Sequence, residues 1–202
     1  MTAVIAVDPV TPAADALSEA ARVLADGGTV AFPTESFYGL GGDARRADVV
    51  ARVFAIKGRP DDKPVLVLVG SPEHALALAA SVPAGARELM ARHWPGALTL
   101  VLVARPGLPD LLMAGTGTVG IRVPGHPVAL ALVRAAGCPV TAPSANPSGG
   151  APPTTAAGVQ RHFEGQVDLI LDGGPTAGGA GSTIADCTTW PPRVLRQGPV
   201  RL

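Results

Sequence analysis

Aromatic residues are scarce in this chain: two Trp, one Tyr and four Phe among 202 positions. Its core must therefore come from Val, Leu, Ile and Ala, and 47% hydrophobic residues supply enough for a substantial one. Net charge is missing as well, because 16 basic and 16 acidic residues cancel. A neutral chain lacks the broad field of a non-specific nucleic-acid binder, although global cancellation leaves room for a local basic cleft. The two cysteines, Cys138 and Cys187, have neither pairing nor metal-ligand spacing, which fits a reduced compartment and a role as small apolar residues. No apolar run approaches the ~20 residues of a membrane span, and no basic segment precedes an apolar signal core. These absences predict a soluble, cytoplasmic protein, with 1–202 forming one domain.

Familiar catalytic signatures are absent too. There is no phosphate-binding loop ending in Gly-Lys-Ser/Thr and no Gly-Xaa-Ser-Xaa-Gly elbow. The four histidines, His74, His93, His126 and His162, are scattered, each near a predicted helix end, and read as structural. No His/Cys/carboxylate cluster suggests a protein-bound metal.

What is present is an alternation of strands and helices, which indicates an α/β domain. Thr11-Pro12 reads as an N-cap with Pro at the first helical position, followed by an apolar stripe at Leu17, Ala20, Ala21 and Leu24 that stops at Gly27-Gly28. Strands are predicted at 29–32, 65–69, 98–103, 119–123, 137–140, 167–171, 183–186 and 193–195. Helices are predicted over 48–57, from Ser71-Pro72, from Pro83, over 126–136, and from a Thr154 cap to about His162. The late strands crowd together, so a mixed sheet is expected rather than a purely parallel one.

Four stretches interrupt this pattern with chemistry. Thr141-Ala142-Pro143-Ser144-Ala145-Asn146-Pro147-Ser148-Gly149 follows an apolar run, at the carboxyl end of a strand where open α/β sheets place ligands. Its prolines stiffen it and aim Ser144 and Asn146. Lys57-Gly58-Arg59-Pro60-Asp61-Asp62-Lys63-Pro64 lies at a helix C-terminus. Dipole complementation, worth ~0.3–1 kcal/mol, explains Lys57 but not Arg59 and Lys63 as well. A stiff loop presenting three cations suits a polyanion such as a nucleotide triphosphate. Pro33 to Ala44 reads as a loop of hydroxyls, an acid and glycines beside Phe37 and Tyr38. Arg122, inside an apolar strand, either pairs with a structural carboxylate or binds an anionic ligand. Gly173 to Gly181 is a glycine-rich loop able to bend tightly or approach a ligand.

Taken together, PTESFYGLGGDA (33–44), KGRPDDKP (57–64), WPGALTLVL (94–102), TVGIRVPGHP (118–127), TAPSANPSG (141–149), LILDGGPT (169–176) and VLRQGP (194–199) resemble the YrdC-like family, the L-threonylcarbamoyladenylate synthases. The resemblance covers about residues 16–199. It implies an α/β fold, a single YrdC-like domain with a twisted mixed sheet and flanking helices around a positively lined cavity, without the extra C-terminal domain of longer members. It also implies condensation of L-threonine, bicarbonate and ATP into threonylcarbamoyl-AMP and pyrophosphate, supplying the group that separate transfer proteins place on tRNA as t6A37. Lys57, Arg59, Ser144 and Asn146 match the family's KxR…SxN signature and would be catalytic. Arg59, Lys63, Thr118, Ser144 and Arg196 would face ATP. Ser36, Arg122, Ala142 (through its backbone) and Ser182 would face threonine. Mg2+ would arrive with ATP rather than in a protein cage. The alternative is a non-catalytic module of the same fold that holds tRNA or double-stranded RNA. Three positions depart from the pattern: Ser36 replaces Thr, Leu68 replaces a threonine-contacting His, and Gly181 replaces the Glu common before Ser-Thr.

Overall fold

In the computed structural model, which describes residues 1–202, the β-branched and Leu-rich runs become short strands and the 3.6-period stripes become helices. In chain order these are β1 (Ala3–Ala6), α1 (Ala14–Ala25), β2 (Val30–Pro33), β3 (Tyr38–Gly41), α2 (Ala47–Lys57) and β4 (Leu66–Leu68). There follow α3 (Pro72–Leu78), α4 (Ala84–His93), β5 (Leu98–Val103), α5 (Asp110–Met113), β6 (Thr118–Arg122) and α6 (Pro127–Ala136). The chain closes with β7 (Val140–Thr141), α7 (Ala156–Phe163), β8 (Leu169–Asp172), β9 (Thr183–Asp186) and β10 (Arg193–Arg196).

The strands divide into two mixed sheets, ordered β1-β8-β2-β3 and β10-β9-β5-β6-β4-β7. The expected mixed sheet is thus realised as two, and they meet where β3 lies against β7. Single bridges Gly39–Ser144 and Asp43–Val140 stitch this seam. Backbone hydrogen bonds reinforce it: Leu40 N–H donates to Pro143 O (2.8 Å), and Thr141 N–H to Gly42 O (2.9 Å). Gly41 makes so close an approach possible. A Cβ there would stand 2.7 Å from Val140 Cγ1 and 2.8 Å from Phe32 Cε1, inside contact distance. Aliphatic residues fill three cores, the largest between the six-stranded sheet and α2 to α5. A second core packs α1 and α6 on one face of the other sheet, and a third packs α7 on its opposite face.

Several local expectations change. Helix α1 starts at Ala14, and its N-cap is Ala13 rather than Thr11. Asp8 Oδ1 instead accepts from the Val10 and Thr11 N–H groups (2.8 Å each), a turn that uses up the polar residues before the helix begins. The cap of α7 is Thr155, whose hydroxyl accepts from Gly158 N–H (3.1 Å), and not Thr154. The 33–44 stretch, expected to be loop throughout, contains β3, antiparallel to β2. The run 137–140 yields a strand only at its end, because Gly137 adopts φ 61° to stop α6. β1 and α5 were not anticipated: β1 is largely exposed and exists by parallel pairing with β8. No helix is long and apolar enough to cross a membrane. Cys138 and Cys187 are free and buried, and burial pushes both thiols up to about 11, so they stay neutral.

Candidate active site

A cavity of about 330 Å3 opens beside the seam. Arg59, Arg122 and Arg196 line it, together with Ser36, Ser144 and Ser182, and no Asp or Glu does. Leu66 and Leu68 of β4 contribute apolar wall. Strand registers order the polar groups along it. Leu66 pairs with Gly120 and Leu68 with Arg122, so Arg122 stands level with the end of β4. Pro64, another lining residue, precedes β4 by two positions, and Arg59 is bonded to it. Four residues of extended chain, ~13 Å, therefore separate an Arg59 end from an Arg122 end.

At the Arg59 end, α2 terminates at Gly58, whose φ of 54° is left-handed and frees the chain to turn. Arg59 then donates Nε–H to Lys63 O (2.9 Å) and Nη2–H to Pro64 O (2.7 Å). It also lies 5.8 Å from the Phe54 ring centroid. Held by carbonyls and an aromatic face, it keeps its full charge for a ligand. Lys63 is exposed and lies outside the cavity lining. Thr118 is also outside the lining. It begins β6, and its hydroxyl is bonded to Thr116 Oγ1 (2.8 Å).

Lys57 and Asn146 stand behind the wall rather than in it. Lys57 is 3% exposed. Its Nζ donates to Ser144 O (2.5 Å) and Asn146 O (2.6 Å). Asn146 is buried as well, and its Nδ2 donates to Pro147 O and Gly150 O (2.8 Å each). Ser148 N–H returns a bond to Lys57 O (2.8 Å). The Ser-Ala-Asn loop is thus clamped to the end of α2, with Ser144 left on the cavity face. Burial, with the Arg59 charge adding to it, pulls the Lys57 ammonium down to about 8. The inward direction was readable in the helix period: Val50, Val53, Phe54 and Lys57 share one buried stripe.

The Arg122 end is built differently. Arg122 is 4% exposed; its Nε–H donates to Gly96 O (2.8 Å), and its guanidinium forms an ion pair with Glu35. The structure therefore supplies the partner carboxylate while leaving Arg122 in the cavity wall. Burial would push the Glu35 carboxyl up, but Arg122 and backbone N–H groups outweigh it and hold the acid below its ordinary value. Ser182 Oγ shares a 2.7 Å hydrogen bond with Thr99 Oγ1. Arg196 clasps Ser182 O through Nε–H (3.0 Å) and Nη2–H (2.8 Å). Burial and the neighbouring Arg122 both disfavour the Arg196 charge, a strain that an anion in the cavity would relieve. Ser36 and Ala142 line this cavity too, and Ser36 O anchors the glycine-rich loop by accepting from Thr176 Oγ1 (2.7 Å) and Gly178 N–H (2.8 Å). Gly181 has a clear use. A Cβ there would sit 2.8 Å from Arg196 Nη2, so the absent side chain leaves the room that the guanidinium occupies.

Glu35 and Thr99 are the residues that sequence reasoning did not single out. A polar residue inside the apolar run Leu98 to Val103 was the available signal for Thr99. Glu35 was visible as an acid, but its partner is 87 positions away. No group of three or more His, Cys, Asp or Glu side chains is arranged to hold a metal ion.

The Sua5/YciO/YrdC family model, described as "Telomere recombination", matches residues 22–198. The chain belongs to the Sua5/YciO/YrdC family. It is similar to the threonylcarbamoyl-AMP synthase of Bacillus subtilis (strain 168), at 44% identity over 185 residues, covering 91% of this chain and 54% of that protein. In structure it is similar to P. abyssi Sua5 complexed with L-threonine, with a TM-score of 0.93 and 42% identity, covering 96% of this chain and 57% of that one. E. coli YciO superposes with a TM-score of 0.89 at 28% identity, covering 98% of this chain and 97% of its own. The chain thus spans about half the length of the first two Sua5/YciO/YrdC relatives and nearly all of the third.

Proposed function

We propose that this chain makes threonylcarbamoyl-AMP from L-threonine, bicarbonate or CO2, and ATP, releasing pyrophosphate. The observation that carries this reading is one cavity with a carbonyl-held arginine at one end and a carboxylate-paired arginine at the other. Two anions of different kinds, a polyphosphate and an amino-acid carboxylate, match those two ends. The relatives' names and the threonine complex of P. abyssi Sua5 support the same assignment.

In this reading Arg59 and Ser144 contact the phosphates, with Lys63, Thr118 and Arg196 completing the nucleotide side. Ser36, Arg122, Ser182 and the Ala142 backbone hold threonine. Its ammonium first loses a proton to solvent; the freed amine then adds to the carbon of CO2 and sheds a second proton, or displaces water from bicarbonate, and becomes a carbamate. A carbamate oxygen then attacks the α-phosphorus as the bond to pyrophosphate breaks. No side-chain nucleophile takes part: catalysis rests on positioning the reactants and on cations that meet developing phosphate charge. Lys57 and Asn146 act as positioning residues, because they fix the loop that carries Ser144. Mg2+ fits as a companion of the triphosphate, where it would neutralise phosphate charge. The product would serve proteins that transfer the threonylcarbamoyl group to position 37 of tRNAs reading ANN codons, with the reaction in the cytoplasm. Direct contact with tRNA belongs to this proposal as well.

The test is to incubate the protein with ATP, L-threonine and bicarbonate and to follow pyrophosphate. Release that depends on both threonine and bicarbonate is expected. No threonine-dependent release, alongside tight binding of RNA, would replace the enzyme by a binding module of the same fold.

A further inference from the structure

Glu35 stands out because of where its charge lies. A second cavity of about 340 Å3 adjoins the first, and Ser36, Arg122 and Ser182 line both. Glu35 lines the second cavity beside Arg122 and is the sole carboxylate in either lining. If the Arg122 end had to recognise only an anion, this acid would weaken it by partial neutralisation and by repulsion. Glu35 Oε1 is satisfied by the Gly125 N–H (2.7 Å). Oε2 and Arg122 Nη2 are buried and touch each other as an ion pair. A buried anion and a buried cation therefore lie side by side, and both residues line the second cavity. An α-amino acid presents the complementary pair, an ammonium and a carboxylate on one carbon.

We propose that Glu35 and Arg122 together form a receptor for the zwitterion of an α-amino acid: Arg122 takes the carboxylate, and Glu35 takes the α-ammonium. Glu35 thereby makes the site discriminate against acids of the same shape that lack the amino group. This rests on the reading that an amino acid is the substrate, and it assigns Glu35 to substrate selection. Glu35 and Arg122 contact each other directly. A bound zwitterion replaces their direct contact with two charge-assisted hydrogen bonds.

The experiment is calorimetric titration of the full chain with L-threonine and with 3-hydroxybutyrate, the same skeleton without the amine, on the wild type and on Glu35→Gln. The wild type should bind threonine about tenfold or more tightly than 3-hydroxybutyrate, the scale of one charged hydrogen bond. Glu35→Gln should bring the two affinities close together by weakening threonine, while 3-hydroxybutyrate binds equally or more tightly because Arg122 is released. Glu35→Asp should recover part of the discrimination. A wild-type ratio retained in Glu35→Gln overturns the proposal, and so does an equal loss for both ligands with a lowered melting temperature. A wild type that binds neither compound overturns the amino-acid reading itself, and this proposal with it.

Discussion

Two arginines at opposite ends of one cavity are held by different means. Arg59 rests on two carbonyls and the face of Phe54, none of which carries charge. Arg122 rests on one carbonyl and a carboxylate. A carbonyl-held guanidinium is orientated without being neutralised, so its field stays available to a multiply charged phosphate. A carboxylate-held one is half satisfied beforehand, so a ligand must compete for it or bring a cation of its own. Of two residues that look alike in the sequence, one is suited to strength and the other to selection.

The contrast can be broken most directly at Arg59. Arg59→Ala should lower kcat/KM for ATP by about a hundredfold or more, the usual cost of deleting a cation at a developing oxyanion, with threonine affinity nearly unchanged. Steady-state kinetics and threonine titration check it; an equal loss for both substrates would show that the two ends are not separate. Next in size, Arg122→Ala leaves Glu35 half-buried without its cation and should cost about 2 kcal/mol in urea denaturation. Adding Glu35→Ala should return part of that loss, whereas additive destabilisation would show that the pair is not coupled. Lys57→Met is expected to cost both stability and turnover, because two buried loop carbonyls lose a charged donor. Arg59→Ala should cost turnover alone, so thermal melts of the two variants separate clamp from contact.

The smallest effect concerns pH and the clamp. The folded-state value for Lys57, about 8, lies below the ordinary lysine value of 10.5. Between those limits the folded chain has released a proton that the unfolded chain still holds, so raising the pH favours folding. Wild type should therefore gain stability relative to Lys57→Met as the pH rises from 8 toward 10.5. Turnover should move the other way, falling as pH rises through about 8, because a neutral amine grips the Ser144 and Asn146 carbonyls less firmly. Denaturation at pH 7.5 and 9.5 beside a pH–rate profile would check the opposite signs; a parallel rise of both would remove the clamp from catalysis.

Much of the architecture was legible because its signals are local. β5, β6, α2 and α6 carry continuous apolar runs or stripes with Gly or Pro punctuation, and they lie within a residue or two of expectation. The stiffness of 141–149 also followed from its prolines, whereas its place at the seam required the partner strand. β3 stayed hidden since Tyr-Gly-Leu-Gly is half glycine and carries no β-branched residue; it is a strand because β2 and the Ser144 loop pair with it. Lys57, Arg59 and Lys63 read as one cationic cluster, and helix phase separated them: Lys57 continues the buried stripe of α2 and points inward, Arg59 follows the Gly58 turn, and Lys63 stays at the surface.

By itself, then, the sequence determined the inventory: an aliphatic α/β chain, stiff polar loops at strand ends, and the motifs that mark the Sua5/YciO/YrdC family. Those features depend on neighbours within a few positions, where propensity and periodicity act. Tertiary structure alone decided the distribution of charge: Lys57 behind the wall, Arg59 free on carbonyls, Arg122 beside Glu35. Such pairings join residues up to 89 positions apart, and only the closing of the two sheets on one seam brings them within reach.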